Sequence, residues 1–135
     1  VTCASASYLA QFGEPRALAA LAGRRAVNYL SSATGQALPL EFMVKGELRT
    51  LNLPGPVSVT GAVVYAGAGI AGLGLVQVPR YRVADELASG QLREVLADLP
   101  PPPLPVSVLY PQSRQLSVRV RAFAQWLGER FEAVA

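Results

Sequence analysis

Residues 57–87 read VSVTGAVVYAGAGIAGLGLVQVPRYRVADEL, and the order of the pieces in this run decides the fold. Thr60 stands where an N-cap belongs, so the pattern predicts a helix from about Gly61 to Ala71, whose Gly and Ala content lets it approach its neighbours closely. Gly72-Leu73-Gly74 ends it. Leu75-Val76-Gln77-Val78 follows as a short apolar segment closed by Pro79, which reads as a buried strand. Arg80-Tyr81-Arg82 then opens a helix through Val83, Leu87 and Ala88, and Gly90 stops it.

The rest of the chain repeats this alternation. Val1 to Ala4 is short and apolar, and Ser5 or Ser7 can cap a helix carrying Tyr8, Leu9 and Phe12, closed by Gly13. Pro15 is expected in the first turn of a second short helix, with Leu18 and Leu21 facing inward and Gly23 past its end. Ala26 to Leu30 reads as a strand and Ser31 to Gln36 as a turn-rich loop. Leu40 to Val44 alternates as a half-buried strand does, Lys45-Gly46-Glu47 is a tight turn, and Leu48 to Leu53 pairs back. Pro54-Gly55-Pro56 interrupts before Val57 to Val59. Downstream, Leu92 to Leu96 reads as a strand, Pro100 to Pro103 as an extended crossover, and Pro105 to Tyr110 as a strand ended by Pro111. Val118 to Val134 shows a helical stripe at Val120, Phe123, Leu127, Phe131 and Val134. Alternating strands and helices imply an α/β domain with a mixed sheet, whose ligands bind at the carboxyl ends of strands.

Composition narrows the chemistry. The chain has 135 residues, 51% of them hydrophobic, which suffices for one core. It has one cysteine, Cys3, and no histidine. Internal disulfides, His/Cys zinc sites and imidazole-based nucleophilic triads are therefore excluded, and one free thiol fits a cytoplasmic setting. No cofactor, metal or catalytic group is expected. The net charge of +3 is spread along the chain and outlines no nucleic-acid surface. Residues 50–79 carry no charge, but Pro54, Pro56, Ser58, Thr60 and Gln77 break the run, so no membrane span is expected.

Gly67-Ala68-Gly69-Ile70-Ala71-Gly72 matches G-x-G-x-x-G, with Asp85 downstream in the place of a ribose-binding acid. A dinucleotide-binding oxidoreductase fragment is the alternative this run raises. The fingerprint must follow a strand and open a helix, whereas here it closes one. Asp85 with Glu86, and Glu129 with Glu132, are not set for acid-base catalysis, so no enzyme activity is expected. What remains is a polar edge: Thr2 and Cys3 at the end of the first strand, Ser31 and Ser32 after the second, and Thr60 at the helix entry. Hydroxyls and free backbone N–H groups at a helix N-terminus bind small carboxylates without a charged side chain.

Four blocks in order, Ala4 to Pro15, Ala71 to Leu75 with Pro79, Val83 to Leu92, and Leu109 to Arg114 continuing to Phe123, resemble the effector-binding domain of LysR-type transcriptional regulators. The resemblance covers nearly the whole chain. It implies a periplasmic-binding-protein-like (type 2) α/β fold: residues 1–103 as the second effector-binding subdomain, and 104–135 as a crossover strand and C-terminal helix returning toward a first subdomain mostly absent here. Val1 to Ala4 and Leu104 to Val106 would be the crossovers. A small organic effector would sit in the cleft, lined on this side by Thr2, Cys3, Ser31, Ser32, Thr60 and Val106. The resemblance further implies a homo-oligomer that meets DNA only through a winged helix-turn-helix not present in this chain. Thr60-Gly61 replaces the family's frequent Asn or Asp at the central helix entry, and Ala20 its usual Asp in the second short helix.

Overall fold

The computed structural model describes residues 1–109 and 117–132, which form two compact units, Val1–Pro102 and Pro103–Ala135. In the first unit, β1 (Thr2–Ser5) leads into α1 (Ala6–Phe12), a 3-10 turn at Leu18–Leu21, β2 (Asn28–Tyr29), the hairpin β3 (Leu40–Val44) and β4 (Glu47–Leu51), and β5 (Ser58–Val59). There follow α2 (Ala62–Ile70), β6 (Val76–Gln77), a 3-10 turn at Arg80–Arg82, α3 (Ala84–Ser89) and β7 (Leu92–Glu94).

β1 lies between β6 and β7, antiparallel to both, while β2 and β5 pair in parallel. A parallel bridge between Ala26 and Leu75 joins the two groups, with Val27 N–H donating to Leu75 O at 3.0 Å and Leu75 N–H to Arg25 O at 2.9 Å. The strands thus run β5-β2-β6-β1-β7 across one mixed sheet, and β3–β4 stands apart as a hairpin.

Side chains alternate across the sheet and build a core on each face. Ala4, Ala26 and Leu75 join Tyr8, Leu9, Leu21, Leu40 and Phe42 under α1 and the hairpin. Their neighbours Cys3, Val27 and Val76 pack with Tyr65, Ala68, Val83 and Leu92 under α2 and α3. Small residues in α2 make this contact possible: a Cβ on Gly69 would lie 2.7 Å from a Val76 methyl. The helix ends as a Schellman motif, with Leu73 N–H donating to Ala68 O, Gly72 N–H to Gly69 O, and Gly72 at φ 81°.

Several elements differ from these expectations. Gly61 rather than Thr60 is the N-cap of α2, and it supplies no side-chain cap. Pro15 precedes a 3-10 turn that starts only at Leu18, because Ala17 is extended at φ −153°. Arg80–Arg82 forms a separate 3-10 turn rather than the first turn of α3. β4 starts at Glu47, inside the expected turn, and stops at Leu51; β7 stops at Glu94, and Leu96 turns at φ 54°. The first and last of the caps hold as read: Ser5 Oγ accepts from Tyr8 N–H at 3.0 Å, and Gly90 closes α3 at φ 76°.

In the second unit, residues 105–109 form no strand, since no described residue pairs with them, and the expected strand end at Tyr110 and Pro111 lies outside the described residues. α4 (Val118–Glu132) begins at Ser117, whose Oγ accepts from Val120 N–H at 3.3 Å. Its stripe residues Val120, Phe123 and Phe131 are exposed, and Val134 lies outside the described residues.

Candidate functional site

Because β2, β5 and β6 are parallel, their carboxyl ends share one sheet edge. Leu30 N–H donates to Val59 O at 2.7 Å, which sets Ser31 beside the Thr60-Gly61 step into α2. Thr2, paired with Gln77, reaches the same edge from the antiparallel β1. Thr2 and Cys3 therefore open β1 rather than end it. Arg80, just past β6, makes an ion pair with Glu94 at the end of β7.

The candidate side chains differ in access. Ser32 and Thr60 are exposed and Ser31 is half-buried. Ser31 shapes its own turn: its Oγ accepts from Ala33 N–H at 3.3 Å and Thr34 N–H at 3.4 Å, and its N–H donates to Gln36 O at 2.9 Å. Thr2 is 2% exposed and Cys3 0%. Burial pushes the Cys3 thiol up to about 11, so it stays a protonated, apolar-packed group at neutral pH. Val106 belongs to the second unit, where it is exposed.

At the centre of this edge stands Gln77, which sequence reading treated only as an interruption of an apolar run. Its Nε2 donates to Thr2 Oγ1 at 2.9 Å and Glu41 O at 2.7 Å, and its Oε1 accepts from Glu41 N–H at 2.8 Å. Its own N–H donates to Tyr65 Oη at 3.0 Å, and burial pushes the Tyr65 phenol up. Its side-chain amide thus fastens β1 and β3 to β6, and its backbone N–H fastens α2. A lone polar residue inside a short apolar strand was the available signal, but its partners lie 36 and 75 positions away.

At this edge α2 starts without a side-chain cap, and Tyr65 N–H to Gly61 O at 2.9 Å is its first internal bond. The preceding N–H groups of the first turn are open to an acceptor, and the helix dipole favours one that is negative. The glycine run lies at the opposite end. Gly67 and Gly69 are within α2 and Gly72 is in its terminal turn, so the phosphate-cradling alternative is overturned. A depression of about 130 Å³ between β2 and the hairpin, lined by Val27, Asn28, Leu38 and Leu40 among others, is separate from this edge and below the ~300 Å³ usual for ligand pockets. Among the described residues, no group of three His, Cys, Asp or Glu could hold a metal, and no helix is long and apolar enough to cross a membrane.

Comparison with known proteins fixes the class. The pattern of the LysR substrate binding domain matches residues 1–132. The chain is 38% identical over 128 residues to the uncharacterized HTH-type transcriptional regulator YhjC of Escherichia coli, covering 95% of this chain and 43% of that protein. It is 41% identical over 68 residues to the HTH-type transcriptional repressor PA14_22550 of Pseudomonas aeruginosa, covering 50% of this chain and 22% of that one. The regulatory domain of AphB from Vibrio vulnificus superimposes with a TM-score of 0.73 at 21% identity, covering 96% of this chain and 63% of that one. The regulatory domain of CrgA, a LysR-type regulator from Neisseria meningitidis, gives 0.68 at 19% identity, with 96% and 62% covered. The fold is thus periplasmic-binding-protein-like, type 2.

This chain belongs to the LysR substrate-binding domain family, and the curated relatives it matches are transcriptional regulators, not enzymes. It spans less than half the length of the curated relatives it matches.

Proposed function

We propose that this chain is one wall of the effector cleft of a LysR-type regulator, and that it binds a small anionic organic molecule at the carboxyl edge of its parallel strands. The observation that carries this reading is the uncapped N-terminus of α2 beside Ser31. Its open N–H groups supply fixed donors for a carboxylate, with Ser31, Ser32 and Thr60 adding hydroxyls. Thr2 and Cys3 support the edge from within β1, and Val106 is the family's crossover position. Residues 1–103 act as the second subdomain and 104–135 return to the first. Effector closure shifts the arrangement of subunits in a cytoplasmic homo-oligomer, which a winged helix-turn-helix elsewhere in the full-length protein reads out on DNA.

Thermal melting of the chain against a panel of small mono- and dicarboxylates tests the reading. A ligand at a hundred times its Kd stabilises by about 2.7 kcal/mol and raises the melting temperature by several degrees. Ser31→Ala and Thr60→Val are expected to weaken binding about three- to tenfold each, the scale of one lost hydrogen bond; Thr60→Val leaves the ligand-free melting temperature in place, while Ser31→Ala lowers it slightly through the lost turn bonds. A nicotinamide dinucleotide is expected to produce no shift. If no carboxylate stabilises the chain, or both variants bind as tightly as the original, the edge is not the site.

A further inference from the structure

The outer edge of the hairpin is a surface that effector binding leaves unused. Val44 and Glu47 flank the two-residue turn Lys45-Gly46, so the ladder bonds fall at Val44–Glu47, Phe42–Arg49 and Leu40–Leu51. The backbone groups of the alternate residues point away from the hairpin. On β3 these are occupied: Glu41 N–H and C=O bond the Gln77 amide, and Met43 N–H donates to Pro100 O at 2.9 Å. On β4 the corresponding residues are Leu48 and Thr50. Among the described residues nothing outside the hairpin bonds their backbone, and Glu47 to Thr50 are all exposed, Leu48 at 52%.

An open strand edge is a template for another strand, and natural edges are usually blunted by charged side chains, proline or a bulge. Here the charges alternate in a way that complements itself. Glu47 and Arg49 point to one face with opposite sign, close enough to pair with each other at 2.9 Å, and Leu48 points to the other face. If β4 is laid antiparallel on its own copy about a twofold axis through Leu48, Glu47 stands opposite Arg49 of the partner subunit, and the reverse pair repeats across the axis. In the same register the outward N–H and C=O of Leu48 meet those of the other Leu48. Centring the axis on Glu47 or Arg49 would set like charges face to face and use backbone groups already spent within the hairpin.

We infer that a second copy of this chain pairs along β4 in this register, forming a four-stranded antiparallel sheet from two hairpins. The strand is short, and the contact falls below the ~1,000 Å² of a stable dimer, so association is weak and concentration-dependent on its own. It is independent of whether the effector edge binds a carboxylate.

Sedimentation velocity on the whole chain, from about 10 µM to about 1 mM, is expected to show a growing dimer fraction that salt reduces. Glu47→Arg or Arg49→Glu turns both cross-axis pairs into like-charge pairs and is expected to weaken association about tenfold, and the double variant to restore it. Mild oxidation reads the register directly. Leu48→Cys places the substituted positions about 5.5 Å apart between Cα atoms and is expected to cross-link, whereas Thr50→Cys places them about 15 Å apart and is not. Cys3 is fully buried and does not compete. Circular dichroism on each variant reports folding, and the charge and cysteine variants serve as independent readings. Absence of a dimer at the highest concentration, a dimer indifferent to the charge swaps, or equal cross-linking of the two cysteine variants would overturn the inference.

Discussion

Gln77 shows how one side chain can hold a site without touching a ligand. Its amide occupies both backbone groups of Glu41 and the Thr2 hydroxyl, so removing it leaves three polar groups in partly buried surroundings. Gln77→Leu is expected to lower stability by about 2–3 kcal/mol, the usual cost of such orphaned groups, and to speed hydrogen exchange at the Glu41 amide. Urea unfolding with amide exchange checks this, and a loss under about 0.5 kcal/mol would show that water replaces the bonds. Cys3 contrasts with it: the thiol is buried among Val27, Val76 and Leu92, and it contributes packing rather than polarity. The Arg80–Glu94 pair is partly exposed and adds little to stability, on the order of 0–1 kcal/mol.

The elements were largely legible because their signals are local. The bounds of β3, the Lys45-Gly46 turn with both residues at positive φ, the Ser5 cap and the Gly90 stop follow from neighbouring residues alone. α2 was legible as a helix, but its glycines needed the fold to separate them. Gly67 has nothing within 4 Å of a built Cβ, whereas Gly69 faces Val76 at 2.7 and 2.9 Å. Gly67→Ala is therefore expected to stabilise by about 0.5–1 kcal/mol through helix propensity, and Gly69→Ala to destabilise by about 1–3 kcal/mol through overpacking. Denaturant midpoints of the two variants check the opposite signs, and Val76→Ala in the Gly69→Ala background should recover part of the loss. Thr60 was misplaced as a cap for a similar reason. Both Thr60 and Gly61 can precede a helix, and the choice depends on how β5 leaves the sheet.

For the whole molecule, among the described residues both cores are built from residues up to Leu99, all within the first unit. A chain ending at Pro102 is expected to unfold cooperatively with a midpoint within about 3 °C of the full chain, measured by circular dichroism. Loss of the cooperative transition would show that residues beyond Pro102 complete the core. The amino-acid sequence by itself determined the alternation of strands and helices, the exclusion of His/Cys metal sites and imidazole triads, and the family pattern, because hydrophobic period, turn residues and composition are properties of neighbours along the chain. Only the tertiary structure decided that Gln77 is the hub and that Thr2, Ser31 and Thr60 share an edge while Cys3 is sealed. It alone left β4 with an open side among the described residues. Those outcomes depend on contacts between residues tens of positions apart, and strand order, which no local signal encodes, determines which of them meet.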